Sequence, residues 1–233
     1  MTQPVIFLGP SLSMEKAKKI FPLADYRPPA RKGDFLKIAN ERNGTGFVGF
    51  IDGVFLQDYP PTPIEVYTLL KKTNVTVGGA ASLGALRAVE LEKFGMIGIG
   101  KIFRLYKSSK IESDDEVAVT FSEHDFKLQS EALIDIRYTL YWAVKDAVIN
   151  QKTKDLLVRI AKRIYFPDRN YDEIIHSARS TGIVEQKELE QLKEYLVTHR
   201  RSLKEEDSVR LIEFIKKRYL ESIRTKQVGV EKS

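Results

Sequence analysis

The chain has 233 residues, of which 42% are apolar and 30% charged, and its 38 basic and 32 acidic side chains give a formal net charge of +6. These proportions exclude a disordered chain, and this length forms one large domain or two small ones. The sequence contains no cysteine, which excludes a thiol nucleophile, a persulfide relay, a zinc–thiolate site and a disulfide scaffold.

Short apolar runs alternate with helical patterns in the first half of the sequence. The apolar runs predict core strands at 5–8, 47–51 and 75–77, and an edge strand at 117–121. Helices are predicted over 14–21, 34–40, 65–70 and 83–93, with Ser13 and Asp34 as caps of the first two. Near-continuous apolar strands that alternate with helices are typical of a parallel sheet covered on both faces. We therefore predict an α/β fold with flanking helices for the N-terminal part.

The second half of the sequence has helical patterns throughout. Apolar residues recur every three or four positions from Leu133 to Val148, which predicts one long helix from about Ser130 to Ile149. Similar patterns predict helices over 153–164, 171–180, 187–198 and 206–224. We therefore predict two domains, an α/β domain over 1–128 and an all-helical region over 129–233.

The surplus of positive charge lies mainly in the second half. Residues 126–233 carry 22 basic and 17 acidic side chains, and residues 1–125 carry 16 and 15. The basic residues do not form the dense face with interleaved aromatic residues that a nucleic-acid interface requires. A solvated helix face and a surface that docks an acidic protein remain the alternatives. We expect neither nucleic acid nor membrane as a partner and place the protein in the cytoplasm, because no long apolar run or signal peptide is present.

A serine stands where the third predicted strand turns into a helix. The small residues Ala80 and Gly84 flank Ser82, as in the sharp turn that exposes the nucleophile of acyl-transfer enzymes. The helix start would present the backbone N–H groups of Leu83 and Gly84 to an anion or to the oxyanion of an intermediate. Three roles for Ser82 therefore stay open: a nucleophile, part of an anion site, or only a helix cap. No histidine lies in a loop that would obviously converge on it, so the general base is unidentified.

Polar residues follow all three core strands at the same end of the predicted sheet. Gly9 and Ser11 follow the first strand, Asp52 follows the second and Ser82 follows the third. Open α/β sheets bind their ligands at the carboxyl ends of the strands. We therefore expect Ser11, Asp52 and Ser82 to meet in one crevice with Arg87, where Asp52 would orient a water molecule, the serine or the arginine.

Two further groups of charged residues are candidates for the site. Arg87 lies one turn into the helix after Ser82 and could clamp a carboxylate or thiocarboxylate, or instead pair with Glu90. Asp114 and Asp115 begin an acidic cluster that is either part of the site or a turn at the entry to a strand. The histidines share no ligand spacing, and we expect neither a metal nor a cofactor.

Six motifs occur in a fixed order along the chain. They are Phe7–Leu12, Pro28–Asp34, Ile51–Phe55, Gly79–Ala88, Phe94–Gly100 and Asp114–Ala118. Together they resemble the TfuA family over roughly residues 4–145, with a weaker echo at Tyr165–Arg169. Before the glutamate of the second helix the family tends to carry His-Lys, whereas Glu65 here follows Thr62-Pro63-Ile64. This departure leaves open any role that rests on that His or Lys.

The resemblance implies a function in peptide-backbone thioamidation. In that system a YcaO enzyme uses ATP to activate an amide oxygen, which sulfide then replaces. A TfuA-like protein would help to supply the sulfide by hydrolysing the C-terminal thiocarboxylate of a ThiS-like sulfur carrier protein. The modified polypeptide would be methyl-coenzyme M reductase or a ribosomally made peptide. A protein without cysteine can release sulfide without trapping it as a persulfide.

Two classes of function are compatible with these residues. In the first, the protein is a thiocarboxylate hydrolase with Ser82, Asp52 and Arg87 as its catalytic residues. The residues that bind the substrate would then be Gly9, Ser11, Leu83, Gly84, Glu90, Asp114 and Asp115. In the second, the protein is a non-catalytic adaptor that binds and activates the YcaO enzyme and recruits the sulfur carrier.

Overall fold

A computed structural model describes residues 2–41, 45–55, 59–72, 74–122 and 124–230, with the backbone alone for 226–230. The chain divides into two compact units. The sheet unit comprises Met1–Glu112 and Lys204–Ser233, and the helical unit comprises Ser113–Leu203. Within the described ranges, no helix combines the length and the apolar composition that crossing a bilayer requires.

Five parallel strands form the sheet in the described part of the sheet unit. They are β1 (Val5–Phe7), β2 (Asp25–Arg27), β3 (Phe47–Phe50), β4 (Thr76–Gly79) and β5 (Ile97–Gly98), in the order β2-β1-β3-β4-β5. The helices that follow these strands are α1 (Met14–Ile20), α2 (Asp34–Asn40), α3 (Pro63–Leu70), α4 (Leu83–Leu91) and α5 (Gly100–Lys107). The predicted α/β fold class is therefore confirmed. In this strand order the chain changes direction across the sheet between β1 and β3, which is where such folds usually bind ligands.

The two faces of the sheet are covered by different helices. On one face Phe7 and Phe50 pack against Phe35 of α2, with ring centroids 5.2 and 4.9 Å from that of Phe35. On the other face lie α1 and the last helix, α10 (Leu203–Val230), whose apolar face includes Ile212 and Ile215. Because successive strand residues point to opposite faces, the continuous apolar runs of the sequence fill both layers of the core.

In its described residues, the helical unit contains four α-helices and its own core. The helices are α6 (Leu133–Lys145), α7 (Gln151–Arg163), α8 (Tyr171–Ser180) and α9 (Gln186–Thr198), and a 3-10 turn at Asp114–Glu116 precedes them. Their apolar stripes form one cluster that includes Leu140, Leu157 and Leu192. The only tryptophan of the chain, Trp142, lies on α6, and the Arg201 guanidinium carbon is 4.2 Å from the centre of its ring.

Several predicted elements differ from the observed ones. The predicted edge strand at 117–121 is wrong: Val117–Val119 are buried without strand pairing, and Phe121 forms an isolated bridge with Leu128. The predicted long helix begins at Leu133 and ends at Lys145. Asp34 does not cap α2, because Gly33 is the cap residue and the Asp34 carboxylate accepts the N–H of Arg31. Ser13 does cap α1 and accepts the N–H of Lys16.

The compact units do not coincide with the predicted domains. The sequence places the last helix in the helical region, whereas α10 packs on the sheet through Ile212, Ile215 and Tyr219. An amphipathic pattern shows that a helix has a buried face but does not show what covers that face. The division into domains over 1–128 and 129–233 therefore stays a prediction.

Candidate functional site

The loop after β1 is fastened by an internal carboxylate. Asp52 follows β3 and is 1% exposed. Its Oδ2 accepts the backbone N–H groups of Gly9 at 2.9 Å and Ser11 at 3.1 Å, and its Oδ1 accepts the Ser11 hydroxyl at 2.6 Å. Converging N–H groups in a loop of this kind form an anion-binding concavity. The structure thus brings Gly9 and Ser11 into contact with Asp52, whose carboxylate fills the anion position and ties two loops together.

A second internal carboxylate fills the corresponding position after β5. Asp207 of α10 is fully buried, and its Oδ2 accepts the N–H of Ile102, in the first turn of α5, at 2.7 Å. Arg210 donates to Oδ1 at 2.6 Å. Gly100 has φ +96°, and a Cβ there would lie 2.2 Å from the carboxyl carbon of Asp207. Burial raises the pKa of Asp207, and the hydrogen bond from Ile102 opposes this effect. The sequence gives no sign of this contact, because the two partners are about a hundred residues apart.

The turn between β4 and α4 is strained. The N–H of Ser82 donates to the carbonyl oxygen of Ala80 at 2.8 Å, and Ala81 between them has φ +65°. This geometry is a γ-turn with a positive φ, which a residue with a side chain rarely adopts. Ser82 itself has φ −119° and ψ −129°. The strained residue of the turn is therefore Ala81, one residue before the serine.

The Ser82 side chain is buried but does not cap the helix. Ser82 is 2% exposed, and it makes no side-chain cap hydrogen bond to the first turn of α4. Of the three roles left open by the sequence, the helix cap is not the one observed. The nucleophile and the anion binder stay predictions.

The start of α4 offers one backbone N–H group rather than two. The N–H of Gly84 donates to the carbonyl oxygen of Ile51 at 3.2 Å, and a Cβ on Gly84 would lie 1.8 Å from the carbonyl oxygen of Phe50. The first turn of α4 is thus packed against the end of β3. The N–H of Gly84 is used within the fold and does not bind an anion, which differs from the prediction. Within the described residues, the N–H of Leu83 has no backbone acceptor.

The Arg87 side chain is hydrogen-bonded to neighbouring residues of the fold. Its Nη1 lies 3.0 Å from both carboxylate oxygens of Glu90, and its Nε donates to the carbonyl oxygen of Pro61 at 3.1 Å. The salt bridge considered for the sequence is therefore the observed arrangement, and Arg87 ties α4 to the segment before α3. Glu65 has a structural role in the same region, since it completes a capping box with Thr62 and accepts the N–H of Gly33 at 2.5 Å.

The acidic cluster belongs to the helical unit and is held by arginines. Arg169 is fully buried and donates to both carboxylate oxygens of Asp115 at 2.8 Å. Arg137 binds Glu116 in the same bidentate way at 2.9 Å, and Asp114 is exposed. The turn predicted as the alternative is thus present, and the structure does not place Asp114 and Asp115 in the same unit as Ser82. In the sequence, the weaker resemblance to the TfuA family at Tyr165–Arg169 is the feature that could have pointed to Arg169.

Among the described residues, the loop and helix starts after β1, β4 and β5 are positions at the carboxyl edge of the sheet where an anion can be received. Asp52 fills the one after β1, and Asp207 fills the one after β5. Among the described residues, no carboxylate of the chain fills the position after β4, where Ser82 and the N–H of Leu83 lie. All three histidines lie in the helical unit, so the sheet unit contributes no imidazole base.

Comparison with known proteins assigns the chain to a family. The model of the TfuA-like protein family matches residues 52–170, which is half of the chain. The match begins at Asp52, includes the turn at Ser82 and extends past Arg169. The motifs at Phe7–Leu12 and Pro28–Asp34 lie outside it. No curated protein matches the sequence. The strand-to-helix turn and the arginine-bound acidic cluster are thus both within the matched region, and the chain belongs to the TfuA-like family.

Proposed function

We propose that the protein acts with a YcaO enzyme in the cytoplasm as an accessory protein for peptide-backbone thioamidation. It releases sulfide by hydrolysing the thiocarboxylate of a ThiS-like sulfur carrier. Membership of the TfuA-like family supports this assignment. The structural observation that carries it is the unfilled position after β4, where a buried serine is free of the capping role that its place in the chain suggests.

The reaction divides into two steps at this position. The Ser82 hydroxyl oxygen attacks the carbonyl carbon of the thiocarboxylate, and the hydroxyl proton is transferred to the sulfur, directly or through a water molecule or a base from a partner. The C–S bond breaks, the protonated sulfur leaves as HS⁻, and the carrier remains as an ester of Ser82. Water then hydrolyses the ester to the carrier carboxylate and restores the hydroxyl.

The negative charge of the thiocarboxylate is the main barrier to attack by Ser82, because the transition state must carry additional negative charge on its oxygen. The N–H of Leu83 would donate to the oxygen that gains charge, and the N-terminal end of the α4 helix dipole acts in the same direction. One oriented donor typically contributes roughly 10²–10³ in rate in acyl-transfer enzymes.

An adaptor function is the second candidate, and a specific observation favours it. Asp52 and Arg87 are committed to hydrogen bonds within the fold, and the sheet unit has no histidine. In this case Ser82 and Leu83 bind the thiocarboxylate without attacking it, and the YcaO enzyme supplies the chemistry.

One assay separates the two functions. The purified protein is mixed with thiocarboxylated carrier in the absence of a YcaO enzyme, free sulfide is measured, and the carrier is analysed by mass spectrometry for replacement of sulfur by oxygen. Sulfide release together with carrier carboxylate supports the hydrolase. Sulfide that is released only after a YcaO enzyme and its peptide are added supports the adaptor and contradicts the hydrolase.

A further inference from the structure

The C-terminal ends of three helices of the sheet unit meet around an exposed aromatic ring. Phe94 lies in the 3-10 turn that follows α4 and is 56% exposed. Its ring contacts that of Tyr67 on α3, with the centroids 5.0 Å apart, and Glu92 of the same turn pairs with Lys107 at the end of α5. We use the name Phe94 surface for the region formed by Tyr67, Lys71, Lys93, Phe94 and Lys107.

Most of the net positive charge of the chain lies in the stretch that forms the Phe94 surface. Residues 63–110, from the start of α3 to the segment after α5, carry eight basic and three acidic side chains, a net charge of +5 in a chain whose total is +6. The rest of the chain is therefore nearly neutral as a whole. A concentration of positive charge of this kind attracts acidic macromolecules over a Debye length of about 8 Å.

The three carboxylates of this stretch are all used within the fold. Glu65 is buried in the capping box of α3. Glu90 pairs with Arg87 at 3.0 Å, and Glu92 pairs with Lys107 at 2.7 Å. Among the described residues of 63–110, each exposed carboxylate thus has a cation of the chain beside it, and none is left to repel an acidic partner.

The lysines beside Phe94 are available to such a partner. Lys71 and Lys93 are exposed, and in the part of the chain that the structure describes neither belongs to an ion pair. The Lys71 ammonium group lies 4.8 Å from the centre of the Tyr67 ring, so Tyr67 is covered by Lys71 and by Phe94. A single strand of nucleic acid stacks its bases on successive exposed rings, whereas this surface offers one. An acidic protein with an apolar side chain is therefore the better fit.

We propose that the Phe94 surface docks an acidic surface of a partner protein. An aliphatic or aromatic side chain of the partner covers Phe94, and the aspartate or glutamate residues around that side chain pair with Lys71 and Lys93. This contact gives a role to the start of the motif Phe94–Gly100, which the site at Ser82 does not use. The proposal does not rest on the chemistry at Ser82.

Peptide binding to the full chain tests this docking surface. The probes are three short fluorescein-labelled peptides. The first has a central leucine flanked by glutamate, the second has the same leucine flanked by lysine, and the third has glutamate around a central alanine. Fluorescence anisotropy at low salt should show the first peptide binding at least about tenfold more tightly than the second, with the difference shrinking as salt is raised. The third peptide should bind more weakly than the first, because it cannot cover Phe94.

A pair of matched truncations locates the apolar contact. Phe94→Ala should weaken binding of the first peptide at least about fivefold and remove its advantage over the third. Leu23→Ala is the control, because Leu23 is also an exposed apolar residue of the sheet unit, at 50%, but lies outside residues 63–110. Circular dichroism checks that both variants fold.

A pair of matched charge reversals locates the ionic contact. Lys71→Glu with Lys93→Glu should abolish the preference for the first peptide over the second. Lys152→Glu with Lys187→Glu makes the same change of net charge at exposed positions of the helical unit and should leave the preference in place.

Four results would overturn the proposal. One is equal binding of the glutamate and lysine peptides to the wild-type protein, and another is an equal effect of Phe94→Ala and Leu23→Ala. Tighter binding of an oligouridine strand than of the first peptide, lost in the Lys71 and Lys93 double variant, would identify a nucleic-acid surface instead. A wild-type dimer in sedimentation experiments that Phe94→Ala converts to a monomer would show that a second copy of the chain covers the ring.

Discussion

At the scale of single residues, the polar side chains at the carboxyl edge of the sheet differ in how much of their hydrogen-bonding capacity the fold uses. Asp52 accepts three hydrogen bonds from the loop after β1, and Arg87 donates to Pro61 and to Glu90 of its own helix, whereas Ser82 is buried without capping its helix. A group whose bonds are used within the fold contributes mainly to stability. A serine at a helix start that does not cap its own helix is a candidate to bind a ligand there. This distinction determines what each substitution should change.

Ser82→Ala should lower sulfide release at least about tenfold, because it removes the proposed nucleophile or donor. It should leave the melting temperature nearly unchanged, since no cap is lost. Ser13→Ala is the matched control: its hydroxyl does cap α1, so that variant should lose about 1 kcal/mol of stability and keep its activity. Unchanged turnover in Ser82→Ala would rule out its catalytic role.

Substitutions of Asp52 and Asp114 should differ in stability. Asp52→Ala leaves two N–H groups and a hydroxyl unpaired and should cost roughly 3 kcal/mol or more. Asp52→Asn should cost only about 1–2 kcal/mol, because an amide can accept the N–H groups and donate to Ser11. Asp114→Asn, at an exposed position, should stay within about 0.5 kcal/mol. Urea unfolding measures all three free energies.

Activity measurements on the same variants distinguish a structural role of Asp52 from a catalytic one. Sulfide release by Asp52→Asn, measured well below its melting temperature, should fall less than about tenfold if Asp52 only fastens the loop. A larger loss in a folded variant would assign Asp52 to the reaction itself.

The position of Ser82 could be predicted from the sequence, whereas the state of its neighbours could not. A serine between a short apolar run and a helical pattern is a local feature, and the strand-to-helix turn follows from it. The bond between Ser11 and Asp52 joins residues 41 positions apart, and Asp207 reaches Ile102 across 105 positions. Such pairings depend on the packed fold, so neither spacing nor composition indicates them.

At the scale of elements, α10 holds the start of α5 against the sheet, and we call this contact the clamp. The Asp207 carboxylate of α10 accepts the N–H of Ile102 in the first turn of α5, while Ile212 and Ile215 of α10 pack on the sheet. The strands β1, β3 and β4 could be predicted because each is a run of apolar residues bounded by turn residues. The strand β5 could not, because two residues in a glycine-rich segment give no periodic signal.

The clamp should weaken with rising pH in a defined window. Because the folded state raises the pKa of Asp207, the folded protein binds this proton more tightly than the unfolded chain does. The contribution of Asp207 to the free energy of unfolding is thus largest below the unfolded pKa of about 3.9 and falls as pH rises through the folded pKa.

Asp207→Asn removes this titration and serves as the reference. Urea unfolding of both proteins at pH 4 and pH 7 should show that the stability advantage of the wild-type protein over Asp207→Asn is smaller at pH 7. A larger advantage at pH 7 would mean that the bonds from Ile102 and Arg210 stabilise the carboxylate more than burial destabilises it.

At the scale of the whole molecule, positive charge lies on the sheet unit rather than on the helical unit. The sheet unit carries 24 basic and 16 acidic residues, and the helical unit carries 14 and 16. Of the excess in residues 126–233, α10 carries 7 basic and 5 acidic residues and packs on the sheet, and the remainder is outweighed within the helical unit by the 5 acidic residues of 113–125. Surface charge acts mainly on association rates, so an acidic partner should be steered first to the sheet unit.

Charge reversal on α10 tests this steering. Lys217→Glu with Arg218→Glu should slow association with the carrier or the YcaO enzyme and reduce its dependence on salt. Lys216 is left unchanged because its ammonium group donates to the carbonyl oxygen of Ile20 at 2.9 Å. Lys162→Glu with Arg163→Glu, on exposed positions of the helical unit, is the matched control. If both double variants associate with the partner at the wild-type rate, neither surface steers it.

The position of Trp142 gives the molecule a built-in optical label. Because the only indole lies on α6, fluorescence emission excited at long ultraviolet wavelengths reports the environment of the helical unit, whereas far-ultraviolet circular dichroism sums over every helix of both units. A substitution in the sheet unit that shifts the dichroism melting curve and leaves the emission curve in place would show that the two units melt independently. A common shift of both curves would show that they melt as one cooperative body.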